Sequence, residues 1–178
     1  MQGETAKQEQ NWQAALPVRP VSHQGTLSLL VRGKNINQTT LLATDYLNHF
    51  NEIIMVLELL PDMPDCLEEA QVWVPKSYVE HFRDSSFADK ELAILAYENA
   101  PAAHRQPFDR VVTSMDSLIT RGLADITAAV AAGDDERLRS LVEMVTGKLR
   151  RLIELASAII HGNQHTMEQG EIDRIMAF

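Results

Sequence analysis

The strongest constraint on this chain is the spacing of apolar residues in its last third, where intervals of four and three alternate. An α-helix has about 3.6 residues per turn, so this alternation places one apolar stripe along a helix surface. It predicts two long helices, over 105–131 and 135–161, with Gly133 as the terminator between them. So short a connection favours an antiparallel hairpin. The first stripe consists of Phe108, Val112, Met115, Ile119, Gly122, Ile126 and Ala129.

A third long helix is predicted over 38–60, where apolar residues keep the same spacing. Asn37 can cap its first turn, and Pro61 ends the segment. Shorter helices are expected within 64–100, because the stretch SYVE in this region has the spacing of a capping box. We expect these shorter helices to cover the fourth side of the bundle. The stripe of the third helix consists of Tyr46, Phe50, Ile53, Leu57 and Leu60.

The chain divides into a flexible N-terminal arm, residues 1–25, and a single helical-bundle domain, residues 26–178. The arm is polar and contains Pro17 and Pro20 without any apolar period. Residues 26–36 favour an extended segment packed against the body, because a lone short strand has no evident partner. The predicted fold class is therefore all-α, an up-down helical bundle of three long helices plus several shorter ones.

The charge balance narrows the classes of partner. Lys and Arg number 16 against 25 Asp and Glu, which gives a net charge of −9. Nucleic-acid binding depends largely on Lys and Arg, so we expect no nucleic-acid partner. No apolar run approaches the roughly 18 residues of a membrane-spanning helix, so we expect no membrane partner either. The single cysteine, Cys66, cannot form an intrachain disulfide and suits a cytoplasmic location.

One stretch, DYLNHFNE, carries the residue types of a chemical site. Asp45, His49 and Glu52 are four and three residues apart, so on one helix they share a flank and can meet. Helical-bundle metalloproteins hold iron, manganese or zinc with carboxylates and imidazoles of this kind. The order HFNE reverses the usual Glu-x-x-His motif, however, and no second matched copy occurs. The alternative is a histidine at the border of the core that bonds to one of the two acids.

Common catalytic and nucleotide-binding motifs are missing from the sequence. It has no glycine-rich phosphate loop, no CxxC pair and no nucleophile elbow. We therefore favour a non-enzymatic cytoplasmic protein that acts through binding, as a regulatory, adaptor or accessory protein without a cofactor. Wide apolar stripes on the first and last long helices favour a homodimer and leave room for a further protein partner.

Two alternative functions stay open, one of them enzymatic. The first is a metal-carboxylate enzyme or sensor that uses Asp45, His49 and Glu52, with iron, manganese or zinc as its cofactor. The second is a helical pocket for a small apolar ligand. In that case Gly122 would leave space beside its helix, and some of the seven methionines would line an adaptable cavity.

Overall fold

The computed structural model describes residues 23–163 and 169–177, and every regular element in these two ranges is helical. The all-α fold class is therefore confirmed. Of the predicted arm, residues 1–22 lie outside the described residues, and 23–25 open the first helix. The helices are α1 (His23–Leu30), α2 (Asn48–Leu59), α3 (Leu67–Gln71), α4 (Tyr78–Asp84), α5 (Lys90–Glu98), α6 (Ala102–Ala132), α7 (Asp135–Ile160) and α8 (Gln169–Met176), and short 3-10 turns at Thr44–Leu47 and Pro64–Cys66 precede α2 and α3.

Helices α6 and α7 are the two long helices expected from the apolar spacing, and their bounds agree closely with the predicted ones. Gly133 ends α6 in the left-handed conformation, with φ at 65°, which a residue without a Cβ adopts at little cost. Asp134 then caps α7, since its Oδ1 accepts a hydrogen bond of 3.0 Å from the backbone N–H of Arg137. The connection therefore stops one helix and starts the next within two residues.

Gly122 lets α6 approach α7 closely. A Cβ built on this buried glycine would lie 2.7 Å from Cγ2 of Val145. Gly122 precedes the connection by about as many residues as Val145 follows it, which is the register of an antiparallel pair. The space beside Gly122 is therefore filled by Val145 rather than left for a ligand.

The helix predicted over 38–60 is wrong in its first part, because α2 covers only the later half of that range. Asn37 does not cap a helix. Its Oδ1 accepts hydrogen bonds from the backbone N–H groups of Thr39, at 2.8 Å, and Thr40, at 3.0 Å, and so holds a tight turn. The hydroxyl of Thr40 donates a bond of 2.6 Å to the carbonyl of Ile160 at the end of α7. These side-chain hydrogen bonds satisfy backbone N–H and C=O groups without a helix. They therefore favour a turn here, even though the spacing of apolar residues favours a helix.

The extended segment predicted over 26–36 is also wrong, since α1 ends within it. Leu27 and Val31 are four residues apart and both enter the core. That burial favours a helix over an extended segment, and the chain then turns at Gly33, whose φ is 75°.

The shorter helices expected within 64–100 are present as α3, α4 and α5. The capping box of SYVE forms at the start of α4. The Oγ of Ser77 accepts from the backbone N–H of Glu80 at 3.3 Å, and the Glu80 carboxylate accepts from the N–H of Ser77 at 2.8 Å. The capping box thereby fixes where α4 begins.

All phenylalanine, tyrosine and tryptophan residues of the described ranges lie in one aromatic cluster. Tyr78 stacks on Tyr97, with 4.3 Å between ring centroids, and lies 5.2 Å from Tyr46. The Tyr46 hydroxyl donates to the carbonyl of Lys76 at 2.7 Å, and the Tyr78 hydroxyl accepts from the N–H of Ala43 at 2.9 Å. These bonds tie the start of α4 to the start of α2. The cluster comprises Tyr46, Phe50, Trp73, Tyr78, Phe82, Phe87, Tyr97 and Phe108.

Within residues 23–163 and 169–177, no helix is both long enough and apolar enough to cross a bilayer. The longest, α6, alternates buried residues with exposed polar ones along its length. Its surface is that of a helix packed on one side.

Candidate functional site

The structure separates His49 from the two acids with which the sequence grouped it. Asp45 lies in the 3-10 turn before α2, Glu52 is exposed on α2, and both line a polar cleft. His49 is only 5% exposed and packs in the aromatic cluster. Its ring stacks on Trp73, with 4.8 Å between centroids. The acids therefore share a surface, and His49 packs beneath it.

His49 is held as a neutral imidazole. Burial, helped by the nearby His81 and Lys76 and opposed by a backbone hydrogen bond with Val74, lowers its pKa to about 4. Its Nε2 is buried and has no hydrogen-bond partner within the described structure. The ring thus bonds to backbone, and not to a carboxylate as the border-histidine interpretation expected. Above about pH 5 this histidine contributes packing and no charge.

His81, in α4, is the histidine that the structure brings to Asp45 and Glu52. Burial lowers the pKa of His81, while the Glu52 carboxylate, a hydrogen bond to the Asp45 backbone and the Asp45 carboxylate act against that shift. On its other side the ring packs edge-on against Tyr46 and Phe82, at centroid distances of 5.4 and 5.2 Å. His81 therefore has one side on the aromatic cluster and one side on the polar cleft.

The polar cleft has a volume of about 450 Å³ and lies between the start of α2 and the region of α4. The capping box places His81 one turn inside α4, where its backbone N–H donates to the carbonyl of Ser77 at 2.9 Å. The tyrosine bonds described above hold α4 against the start of α2. The cleft is lined by Asp45, Asn48, Glu52, Lys76, His81, Asp84, Ser85, Ser86 and Phe87.

Negative charge predominates in the cleft. Lys76 pairs with Asp84, with 2.9 Å between Nζ and Oδ2. The Asp45 carboxylate accepts a short hydrogen bond from the side chain of Asn35. Glu52 has neither a hydrogen bond nor an ion pair to any described residue. Three carboxylates against one ammonium leave two net negative charges when His81 is neutral.

The residues that complete the cleft, Lys76, His81 and Asp84, were missed in the sequence analysis. The capping-box motif located α4 correctly, so the position of His81 on a helix was available from the sequence. Its contact with the acids arises from packing between α4 and α2, which are far apart along the chain. The spacing of residues within one helix gives no information about a side chain that a different helix contributes to the same site.

Metal-ligating side chains do not cluster in the described residues: no three His, Cys, Asp or Glu side chains lie close enough to hold an ion. The predicted metal site at Asp45, His49 and Glu52 stays a prediction and gains no support from this arrangement. Glu52 and Asp45 remain available to bind a ligand that carries its own hydrogen-bond donors.

A partly buried acid, Asp116, lies away from the cleft lining, in α6. Burial raises the pKa of Asp116 to about 6, and its Oδ1 is buried without a hydrogen-bond partner in the described structure. Two turns earlier in the same helix, Asp109 accepts a hydrogen bond of 2.9 Å from the Tyr97 hydroxyl. Asp109 is therefore part of the aromatic cluster's bonding, whereas Asp116 lowers the stability of the fold at neutral pH.

Comparison with protein-family models, curated proteins and solved structures finds no match to this chain. Its function has to be inferred from the chemistry of the cleft. The cleft offers carboxylate acceptors, a neutral imidazole and the edge of an aromatic side chain, Phe87. Such a set is suited to holding a positively charged group that has several N–H donors.

Proposed function

We propose that this protein acts by binding, as a regulatory, adaptor or accessory protein, and that the polar cleft holds the cationic group of its ligand. The cationic group is an amine or a guanidinium. The observation that carries the proposal is the unpaired carboxylate of Glu52, in the same cleft as Asp45 and the neutral His81. A carboxylate already placed beside a partly buried imidazole gains a charge-assisted bond when a cation enters.

The geometry of the cleft fits a small ligand or a single projecting side chain. Its volume of about 450 Å³ falls within the range of roughly 300–1,000 Å³ typical of small-molecule sites. The one ammonium of the lining, on Lys76, is held by Asp84 and leaves Glu52 free for a ligand. Phe87 supplies an apolar contact for the carbon skeleton that carries the cation.

Calorimetric titration with putrescine and with arginine tests the proposal. We expect saturable binding at one site, weakened about tenfold or more by Glu52→Gln, because a hydrogen bond to a charged group contributes about 1.5–3 kcal/mol. Glu143→Gln, an exposed acid of α7 outside the cleft lining, is the matched control and should bind as the parent does. Equal affinity in both variants would contradict a site in the cleft.

The same variants separate this proposal from the metal alternative. Titration with manganese, zinc and ferrous iron should give no stoichiometric complex that depends on Glu52. Tight binding of one of these ions, lost in Glu52→Gln and in His49→Ala with the fold intact, would favour the metal-carboxylate function instead. The apolar-ligand alternative has no cavity at Gly122 to support it, because Val145 fills that space.

Three further expectations are part of the proposal. The lone Cys66 supports a cytoplasmic location. The two-residue link between α6 and α7 and the contact of Gly122 with Val145 support an up-down bundle. Leu29 and Leu30 of α1 are 66% and 54% exposed, which supports a homodimer in which α1 meets its counterpart.

A further inference from the structure

A second surface, separate in chemistry from the cleft, runs along the exposed side of α2. Met55, Leu59 and Met63 are 67%, 47% and 53% exposed. They are four residues apart, and the N–H of Met63 donates to the carbonyl of Leu59 at 2.8 Å, so one hydrogen-bonded turn follows α2 before the chain leaves the helical conformation at Met63, with φ at −138°. Residues at this spacing lie above one another on a helix. We call these three residues the α2 stripe.

The α2 stripe lies in the most acidic part of the chain. Between residues 35 and 75 there are seven aspartates and glutamates and neither a lysine nor an arginine. Two of the acids are neutralised by α7: Glu58 pairs with Arg150 at 2.5 Å, and Asp62 with Arg139 at 2.9 Å. The exposed acids of this part that pair with no described residue are Glu52, Asp65, Glu68 and Glu69.

We propose that the α2 stripe docks an amphipathic helix of a partner protein, with lysines and arginines beside its apolar face. The apolar face would cover Met55, Leu59 and Met63, and its basic residues would pair with the acids around them. Methionine suits such a surface because its unbranched side chain adapts to the contour of a helix. The opposite charge of the partner would raise the rate of docking and select against acidic partners.

A second copy of this chain fits the α2 stripe less well. It carries a net charge of −9 and would bring the same unpaired acids against themselves. Like charges brought together at an interface oppose association. The inference does not depend on the cleft, because Met55, Leu59 and Met63 do not line it.

Fluorescence anisotropy with labelled synthetic peptides tests the docking surface. The probe is a helical peptide of leucine and lysine with leucine on one face; the controls are a scrambled peptide of the same composition and one with glutamate in place of lysine. We expect only the first to bind, with an affinity that falls as salt rises. The scrambled peptide keeps the charge and loses the apolar face, so it isolates the role of the α2 stripe.

Protein variants locate the contact. Met55→Gln and Leu59→Gln should each weaken peptide binding about tenfold, since each removes an apolar contact worth roughly 1.4 kcal/mol or more. Leu95→Gln is the matched control, because Leu95 is a leucine of α5 that is 46% exposed. Circular dichroism of each variant verifies the fold. Glu52 is unchanged in all of these variants. A negative result for peptide docking is therefore independent of whether the cleft binds a cation.

Two kinds of result would overturn the inference. One is nonspecific attraction to an acidic protein, seen either as equal loss of peptide binding in Leu59→Gln and Leu95→Gln or as equal binding of the scrambled peptide. The other is a homodimer, seen by light scattering as about twice the 20.0 kDa mass, that Met55→Gln dissociates. In that case a second copy, and not a basic helix, covers the α2 stripe.

Discussion

At the scale of single residues, two histidines that are neighbours in space have different roles. Their ring centroids are 6.0 Å apart, yet His49 is enclosed by the aromatic cluster while His81 lines the polar cleft. Asp45 and Glu52, which helical spacing placed on one flank, both line the polar cleft. Helical spacing could not reveal that the imidazole beside them comes from α4, since that depends on how the two helices pack.

Asp116 gives the clearest prediction at this scale. Its pKa is raised to about 6, so the folded state binds a proton between about pH 4 and pH 6 more readily than the unfolded state does. The buried carboxylate therefore lowers stability above pH 6. Because Asp116 is only partly buried and solvent screens part of its charge, we expect Asp116→Asn to raise the free energy of unfolding by about 1 kcal/mol at pH 7, with the gain vanishing near pH 4.

Urea denaturation at pH 7 and pH 4 measures this change. Asp125→Asn removes an exposed acid of the same helix and should leave the free energy of unfolding within about 0.5 kcal/mol of the parent. A gain in Asp116→Asn that is equal at both pH values would show that the buried charge is not its cause.

At the scale of elements, the regularity of the sequence decides what could be predicted. α6 and α7 were predicted to within a few residues, because their periods are long and Gly133 separates them. The start of α2 was predicted wrongly, because the side chains of Asn37 and Thr40 form hydrogen bonds that the spacing of apolar residues does not reveal. Thr40 bonds to the far end of α7, a contact that depends on the assembled fold.

The packing of α6 on α7 yields the second prediction. Gly122→Ala should lower the free energy of unfolding by about 1–3 kcal/mol, because its Cβ would meet Val145 at 2.7 Å in a packed core. The higher helix propensity of alanine, about 1 kcal/mol, offsets only part of that cost. Thermal and urea denaturation measure the difference.

Gly147→Ala is a matched control, since Gly147 lies in α7 and a Cβ there would meet nothing within 4 Å. It should stabilise the protein by about 0.5–1 kcal/mol. The double variant Gly122→Ala with Val145→Ala should recover part of the loss, because the second change removes the atoms that the new methyl group meets. If the Gly122→Ala variant were as stable as the Gly147→Ala variant, α6 and α7 would not be in close contact at Gly122.

At the scale of the whole molecule, three partly or fully buried ionisable side chains set how the stability of the fold depends on pH. His49 and His81 both have pKa values lowered by burial, whereas Asp116 has a raised one. Below about pH 6.5 the unfolded state binds protons at the two histidines more readily than the folded state does. Stability therefore falls as pH falls through this window, and Asp116 opposes the fall below pH 6.

The contribution of His49 to this profile can be isolated. Its pKa of about 4 lies below the ordinary 6.5, so at about 1.4 kcal/mol per pH unit its full effect approaches 3 kcal/mol by pH 4 and is zero above pH 6.5. His49→Phe keeps a ring stacked on Trp73 but cannot take up a proton. We expect the variant to lose less stability than the parent between pH 7 and pH 4.5 in urea denaturation. Parallel profiles would show that His49 is protonated as readily in the folded chain as in the unfolded one.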